Sequence, residues 1–285
     1  MPLYLDVRAT DKGGLLAPSV TVRDESGQAQ NVQLLESSVR GREVLLVAHG
    51  FNVTRAGGLS RIAWWEERLQ LPAVQVVGIL WPGDSAFIPA IDYPIEGNEA
   101  MGAGDLLGPF IDTHLASSPS ISFASHSLGA RVVLQTIRRM RTKVQSLTMM
   151  AGAIDNTCLI DEYKDAVTEQ KVGKISILAS RRDDVLKLAF PLGNFFAGII
   201  SAGHPYIREA LGREGPASPL PNRPLPNWQI PDAWDYGHGD YFGTAAAQGS
   251  LIPALTGFPG PNAPKPIPPD DFKPAWSAAF TASRR

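Results

Sequence analysis

Five short apolar runs constrain the fold of this chain more than any other feature. They are VLLVA at 44–48, VQVVGIL at 74–80, ISFAS at 121–125, SLTMMAG at 146–152 and ISILAS at 175–180. Apolar runs of this length, without polar alternation, are typical of strands that are buried on both faces. The spacers between them are long enough for crossover helices, and those at 59–71 and 130–140 have helical periodicity. The pattern predicts an α/β protein with a mostly parallel central sheet and helices on both faces.

The regions that flank these runs have a different composition. The segments SVTVRDE at 19–25 and NVQLLESS at 31–38 alternate in polarity, which predicts antiparallel strands at an edge of the sheet. Residues 215–234 and the tail 252–285 are rich in proline, which favours extended loops over helices. We predict that residues 1–285 form a single domain, because 285 residues of which 44% are hydrophobic can fill one large core.

Overall composition excludes several classes of partner and site. The 26 basic and 28 acidic residues nearly cancel, so no strong field favours nucleic acid or an anionic membrane. A single cysteine, Cys158, excludes an intrachain disulfide and is expected to be a buried thiol. The start of the chain lacks the pattern of a signal peptide and no run is long enough for a transmembrane segment, so a cytoplasmic location is expected.

A turn of small residues follows the run at 121–125 and has Ser127 at its centre. The turn reads Ser-His-Ser-Leu-Gly and leads into the helical pattern at 130–140. A serine on such a strand-to-helix turn holds its hydroxyl clear of the carboxyl edge of the sheet, and the helix N-terminus favours negative charge there. The turn resembles the nucleophile elbow of α/β-hydrolases, G-x-S-x-G, with Ser125 in place of the first glycine. We therefore predict that Ser127 is a nucleophile.

A serine nucleophile needs a histidine base, and the base needs a carboxylate to orient it. In α/β-hydrolases both follow the serine, the acid before the histidine. Only His204 and His238 follow Ser127 in this chain. His238 has glycines on both sides, as expected of a loop that brings an imidazole to the elbow. His204 precedes a proline and fits a solvated or capping role, so we predict His238 as the base.

Three aspartates are candidates for the acid. Asp183 and Asp184 follow the apolar run at 175–180, and Asp155 follows the run before it. All three would lie at the carboxyl edge of a parallel sheet, which is where the serine is expected. The residues alone leave this choice open.

A resemblance to a known family extends beyond the elbow. SRRDDVL at 180–186 is similar to the Ser-Arg-Asn-Asp-x-Ala-Leu stretch of a bacterial branch of α/β-hydrolases of unassigned function. VAHGFNVT at 47–54, LWPGDS at 80–85 and HGDYF at 238–242 are similar to its His-Gly loop, its Trp-Pro-Ser segment and its terminal histidine segment. The resemblance implies the α/β-hydrolase fold and matches the first aspartate to Asp183. It ranks Asp183 first as the acid, Asp155 second and Asp184 third.

Acyl transfer creates an oxyanion that two preorganised N–H groups must stabilise. The resemblance assigns these donors to the backbone of Leu128, directly after the nucleophile, and of Phe51 in the His-Gly loop. The side chain of Asn52 is a possible third donor. His49 is expected to be buried and to hold this loop. His126 is expected to pack on the turn or to contact substrate.

An apolar substrate pocket is predicted from the segment that follows the acid candidates. Residues 185–206 lead from the acid towards the base, so they are expected to pass the mouth of the site. They are rich in large apolar side chains: Phe190, Phe195, Phe196, Ile199 and Ile200. We expect part of this segment to line a pocket for a small uncharged acyl ester.

The predicted function is that of a serine hydrolase, a carboxylesterase or lipase-like enzyme that forms an acyl-enzyme on Ser127. An acyltransferase or a thioesterase would use the same residues, and a non-catalytic binding module with the same fold is the alternative from another class. The histidines have no spacing typical of metal ligands, and no phosphate-binding glycine loop occurs. We therefore expect neither a metal nor another cofactor.

Overall fold

The computed structural model describes residues 2–69, 73–84, 89–187, 209–218, 227–230, 232, 236–239 and 241. Within them the strands are β1 (Leu3–Arg8), β2 (Leu16–Arg23), β3 (Ala29–Gln30), β4 (Glu43–Ala48), β5 (Val74–Leu80), β6 (Ile121–His126), β7 (Val144–Met150), β8 (Val172–Ala179) and β9 (Asn227–Gln229). The helices are α1 (Val32–Val39), α2 (Arg55–Leu69), α3 (Pro89–His114), α4 (Gly129–Arg139) and α5 (Leu211–Glu214).

All these strands form one sheet in the order β3-β2-β1-β5-β4-β6-β7-β8-β9. In this order, every pair of neighbouring strands from β1 to β9 is parallel. β2 is antiparallel to both β1 and β3. The predicted fold is therefore confirmed: a mostly parallel central sheet, with antiparallel strands at its N-terminal edge.

The apolar runs form the centre of this sheet because each strand there is covered on both faces. Every residue of β5 and of β6 is buried. The ends of the strands are in register, since Ala48 pairs with Ser125 and Ser125 with Met149. The loops that follow β4, β6 and β7 consequently leave the sheet side by side at its carboxyl edge.

The helices cover both faces of the sheet. α3 packs against α4 and α1, whereas α2 packs against β5. The predicted helical periodicity is confirmed: Ile62 and Trp65 of α2 are buried, as are Val133 and Ile137 of α4. Each pair therefore marks the side of its helix that contacts the sheet.

The prediction of a strand over residues 31–38 is wrong, because these residues belong to α1. The Asn31 side chain caps the helix by accepting a hydrogen bond from the Gln33 N–H. Leu35 and Val39, one turn apart, are its buried side chains. The same residues also fit a helix with Leu35 and Val39 on its apolar side, and the burial of these two side chains favours that helix.

The proline-rich segment 215–234 contains a short strand that the sequence did not indicate. Residues 227–229 form β9, which pairs with β8 through Ile177 and Asn227. The triplet has no proline, although prolines stand on both sides of it, so its N–H groups are available for strand pairing. The other residues of this segment are described only in part, and the tail 252–285 lies outside the described residues.

A buried ion pair at the end of β1 joins three segments of the carboxyl edge. The Arg8 guanidinium contacts the Asp84 carboxylate, and both side chains are almost fully buried. Arg8 also donates to the carbonyl oxygens of Val53, at 3.0 Å, and Trp81, at 2.8 Å. One cation thus fixes the loop after β4 and the loop after β5 relative to β1.

Replacing Asp84 should test this ion pair. In Asp84→Asn the Arg8 charge stays buried without its counter-ion, so we expect the free energy of unfolding to fall by about 3–5 kcal/mol. The matched control is Asp165→Asn, which breaks the exposed pair with Arg138. The control should change stability by less than about 1 kcal/mol. Urea unfolding of both variants gives the comparison, and equal effects would contradict a special role for Asp84.

Candidate active site

Ser127 lies on a strained turn between β6 and α4. Its φ angle is +54°, in the left-handed region that a residue with a side chain rarely adopts. The Ser127 N–H donates to the Met150 carbonyl oxygen at 3.0 Å, which ties the turn to the end of β7. A strained backbone that the surroundings hold in place is typical of functional sites. This is the geometry of a nucleophile elbow.

Two glycines allow the elbow to approach the loop after β4. A Cβ atom on Gly50 would lie 2.8 Å from the Ser127 Cβ, and one on Gly129 would lie 2.4 Å from the His49 carbonyl oxygen. Both distances are too short for any side chain. Ser125 occupies the first glycine position of the G-x-S-x-G motif and is fully buried in β6.

Ser127, His238 and Asp183 form a chain of hydrogen bonds. The His238 Nε2 lies 2.9 Å from the Ser127 Oγ, and the His238 Nδ1 lies 2.8 Å from the Asp183 Oδ2. An ionised carboxylate can only accept, so Nδ1 carries the proton and Nε2 presents its lone pair to the serine hydroxyl. The structure therefore brings together the three residues that the sequence analysis selected as nucleophile, base and acid.

Asp183 is the acid candidate that contacts the base. Its side chain is fully buried, and its Oδ1 accepts the Leu186 N–H at 2.9 Å. Asp184 is exposed. Asp155 is half-buried, and its backbone forms an isolated β-bridge with Ala210. The buried oxygens of Asp183 thus hold both the acid loop and the imidazole.

The expected oxyanion donors lie beside the nucleophile. Within the described parts of the chain, the N–H groups of Phe51 and Leu128 have no hydrogen-bond acceptor. The neighbouring N–H groups are engaged, since Ser127 donates to Met150 and Asn52 donates to the Gly83 carbonyl oxygen at 2.5 Å. The Asn52 side chain, also considered as a donor, is exposed.

Sequence reasoning missed the side chains that support the loop after β4, residues 49–54. The Trp81 indole N–H donates to the His49 carbonyl oxygen at 2.8 Å, and its ring stacks on the His49 imidazole. Arg8 holds the Val53 carbonyl from the other side. A signal for Arg8 existed, because Arg8 and Asp6 are charged residues in the short and otherwise apolar stretch LYLDVR, but nothing local indicated the partners of Arg8.

The other histidines have distinct positions. His49 is buried, with its Nδ1 2.9 Å from the Gly50 carbonyl oxygen. His126 is also buried and contacts the main chain of His238. His114, at the end of α3, pairs with Glu36 on the surface. His204 lies outside the described residues.

Burial shifts the pKa values of three side chains in the core, His49, His126 and Cys158. Desolvation lowers the pKa of His49 and that of His126 from 6.5 to about 3, so both imidazoles are neutral at physiological pH. Desolvation also raises the pKa of the Cys158 thiol, which is buried as expected. A buried thiol of this kind is unreactive.

The predicted substrate pocket falls outside the described residues, because Phe190, Phe195, Phe196, Ile199 and Ile200 belong to the segment 188–208. Among the described residues no cluster of side chains could hold a metal ion. The helices of the described part of the chain are all too short or too polar to cross a membrane.

Comparison with known families gives a match over most of the chain. The family described as an alpha/beta hydrolase of unknown function (DUF900) matches residues 25–215. No curated protein matches the chain.

Solved structures with a similar course of the chain are distant in sequence. An uncharacterised protein from Bacillus cereus has 14% identity and a TM-score of 0.42, over 72% of this chain and 56% of that protein. Lipase B of Aspergillus fumigatus has 12% identity and a TM-score of 0.43, over 85% of this chain and 62% of the lipase. Carboxyl esterase 2 of Tuber melanosporum has 13% identity and a TM-score of 0.40, over 75% of each chain. The chain thus spans less than two thirds of the length of the Bacillus and Aspergillus proteins.

The low pKa of the two buried histidines predicts how stability depends on pH. Below pH 6.5 the unfolded chain binds protons on His49 and His126 that the folded protein does not bind until about pH 3. The free energy of unfolding should therefore fall as the pH drops from 6.5, by up to about 1.4 kcal/mol per pH unit for each histidine. Urea midpoints between pH 7 and pH 5 measure this slope. His126→Gln should make the slope shallower, and an unchanged slope would contradict the assignment.

Proposed function

Because the chain belongs to the α/β-hydrolase family of unknown function, whose fold it has, we propose that it is a serine hydrolase that cleaves a carboxylic ester. The observation that carries the proposal is the chain of hydrogen bonds from Ser127 through His238 to the buried Asp183. These contacts occur at a serine with a φ angle of +54°, a strained backbone conformation of the kind that clusters at functional sites.

The first half of the reaction acylates the serine. Ser127 Oγ attacks the ester carbonyl carbon while its proton passes to His238 Nε2. The imidazolium that forms is stabilised by the Asp183 carboxylate, which stays ionised. The N–H groups of Phe51 and Leu128 stabilise the negative charge that develops on the carbonyl oxygen. His238 then donates the proton to the departing alkoxide, which leaves as the alcohol.

The second half of the reaction releases the acid. A water molecule takes the place of the alcohol and attacks the acyl carbon while His238 Nε2 accepts its proton. Collapse of the second tetrahedral intermediate breaks the bond to Ser127 Oγ, which regains the proton from His238. If an alcohol or amine enters in place of water, the same residues perform acyl transfer, and a thioester would acylate Ser127 by the same steps.

An uncharged ester is the substrate class that fits this chemistry best. An alkoxide is a better leaving group than an amide nitrogen, so an ester places the smaller demand on the single imidazolium, which in an amide must protonate the nitrogen as the C–N bond breaks. The substrate is proposed to be a small molecule with an uncharged acyl group, as expected from the apolar side chains of residues 185–206.

The role of Ser127 is tested with a fluorophosphonate probe and p-nitrophenyl esters. Ser127→Ala should lose stoichiometric labelling and reduce turnover to the residual rate that binding and the oxyanion donors supply. Ser125→Ala, two residues earlier and within β6, is the matched control and should keep both signals. Inert but folded wild-type protein would instead support a non-catalytic binding module.

The role of Asp183 is tested by making the same Asp→Asn substitution at each of the three acid candidates. Asp183→Asn should lower kcat by about 10⁴-fold with little change in KM, because the amide favours the wrong imidazole tautomer. Asp184→Asn removes an exposed carboxylate and should leave kcat within about threefold. Asp155→Asn should also have a small effect. Steady-state kinetics on one ester gives all three values, and a larger loss for Asp155→Asn would move the acid to the loop after β7.

A further inference from the structure

The base is carried by a segment whose backbone needs external support. His238 stands between two glycines, and a Cβ atom on Gly239 would meet nothing within 4 Å. Glycine has the largest conformational freedom of any residue, so this sequence does not by itself fix the direction of the imidazole. A base that serves a hydroxyl at 2.9 Å requires a fixed main chain.

His126 contacts that main chain directly. Its Nε2 lies 2.6 Å from the carbonyl oxygen of His238, and the two imidazole rings lie 4.8 Å apart between centroids. Two residues earlier, the Ser180 Oγ donates to the Tyr236 carbonyl oxygen, also at 2.6 Å. The described part of the base segment is therefore held from the ends of β6 and β8.

The chemistry of the two groups determines which one donates the hydrogen bond between His126 and His238. A carbonyl oxygen can only accept, so His126 Nε2 must carry the hydrogen. The ring is buried, and desolvation lowers its pKa to about 3, so the imidazole is neutral and keeps this proton at any pH at which the protein works. A neutral ring also avoids a second positive charge beside His238 when that residue becomes an imidazolium.

Because His126 is next to Ser127 in the chain, its hydrogen bond links the main chain of His238 to the turn that carries the serine. His126 ends β6 and directly precedes Ser127. The same turn therefore fixes the nucleophile through its own backbone and the base through the His126 ring. A shift of the His238 main chain away from Ser127 must therefore stretch or break this hydrogen bond.

We propose that His126 is a positioning residue, whose Nε2–H donates to the His238 carbonyl oxygen and holds the base over Ser127. This proposal rests on the proposed function. It assigns to His126 no contact with the reacting atoms, since the ring acts through the main chain of the base.

The proposal is tested by separating the donor from the ring. Gln at position 126 carries an amide N–H at about the distance of Nε2, whereas Phe keeps a ring without a donor. On a p-nitrophenyl ester we expect His126→Phe to lower kcat by roughly 10- to 100-fold with KM within about threefold, as for a small misplacement of a catalytic group. His126→Gln should keep kcat within about threefold of the wild type.

A comparison of His126→Asn with His126→Gln keeps the test valid if the Phe variant does not fold. His126→Asn is polar but too short to reach the His238 carbonyl, so its kcat should fall like that of the Phe variant. His114→Gln and His114→Phe are the controls, because His114 lies at the surface and contacts Glu36. Both should keep the wild-type kcat. Equal losses for His126→Gln and His126→Asn, or no loss for His126→Asn, would overturn the proposal.

A readout without turnover separates this proposal from the proposed function. In protein with ¹⁵N-labelled histidine, the His238 Nδ1 proton that Asp183 holds should give a slowly exchanging downfield signal. The signal should persist in His126→Gln and broaden in His126→Asn. If the wild type gives the signal but neither turnover nor probe labelling, the proposed function fails while the positioning role stands. If His126→Asn keeps the sharp signal, the positioning role fails.

Discussion

The close contact between the turn after β6 and the loop after β4 is the constraint on which the candidate site depends. Glycines at positions 50 and 129 let two backbone segments meet at a distance that no side chain would permit. This contact packs Gly50, the residue before Phe51, directly against Ser127. Ser127 and Asn52 both have positive φ angles there, which destabilise the fold by about 1–3 kcal/mol each. The packed core around them offsets that strain.

The central sheet and the elbow could be predicted because their signals are local. A buried parallel strand is a continuous apolar run, and the residues that follow such runs must meet at one edge. The small-residue turn after one such run selected Ser127, and the rule indicated two loops with aspartates, but it could not distinguish Asp183 from Asp155, which both follow strands of the same sheet. The resemblance to a family supplied the preference. The contact of Asp183 with His238 agrees with it.

The contacts that support the candidate site could not be predicted, because they join residues that are far apart in the sequence. Arg8 and Asp84 are 76 residues apart, and His126 and His238 are 112 apart, so neither pairing leaves a periodic pattern in the sequence. The cap of α1 shows the opposite failure. There the signal was local, an asparagine before a helical turn, but the alternation in residues 31–38 fitted a strand equally well. Burial of Leu35 and Val39, which only the folded sheet provides, decides between the two.

The hydrogen bonds that hold residues 236–239 bear on the order in which the candidate site would come apart. Ser127 and Asp183 lie just after strands of the sheet, whereas the main chain around His238 is attached to the sheet by hydrogen bonds from His126 and Ser180. Opening of that attachment leaves the sheet folded and the serine in place, but without a group to take its proton. Such local openings have smaller free energies than global unfolding. The contact between His238 and Ser127 is therefore expected to open under milder denaturation than the strands, so under the proposed function activity would be lost reversibly before the sheet unfolds.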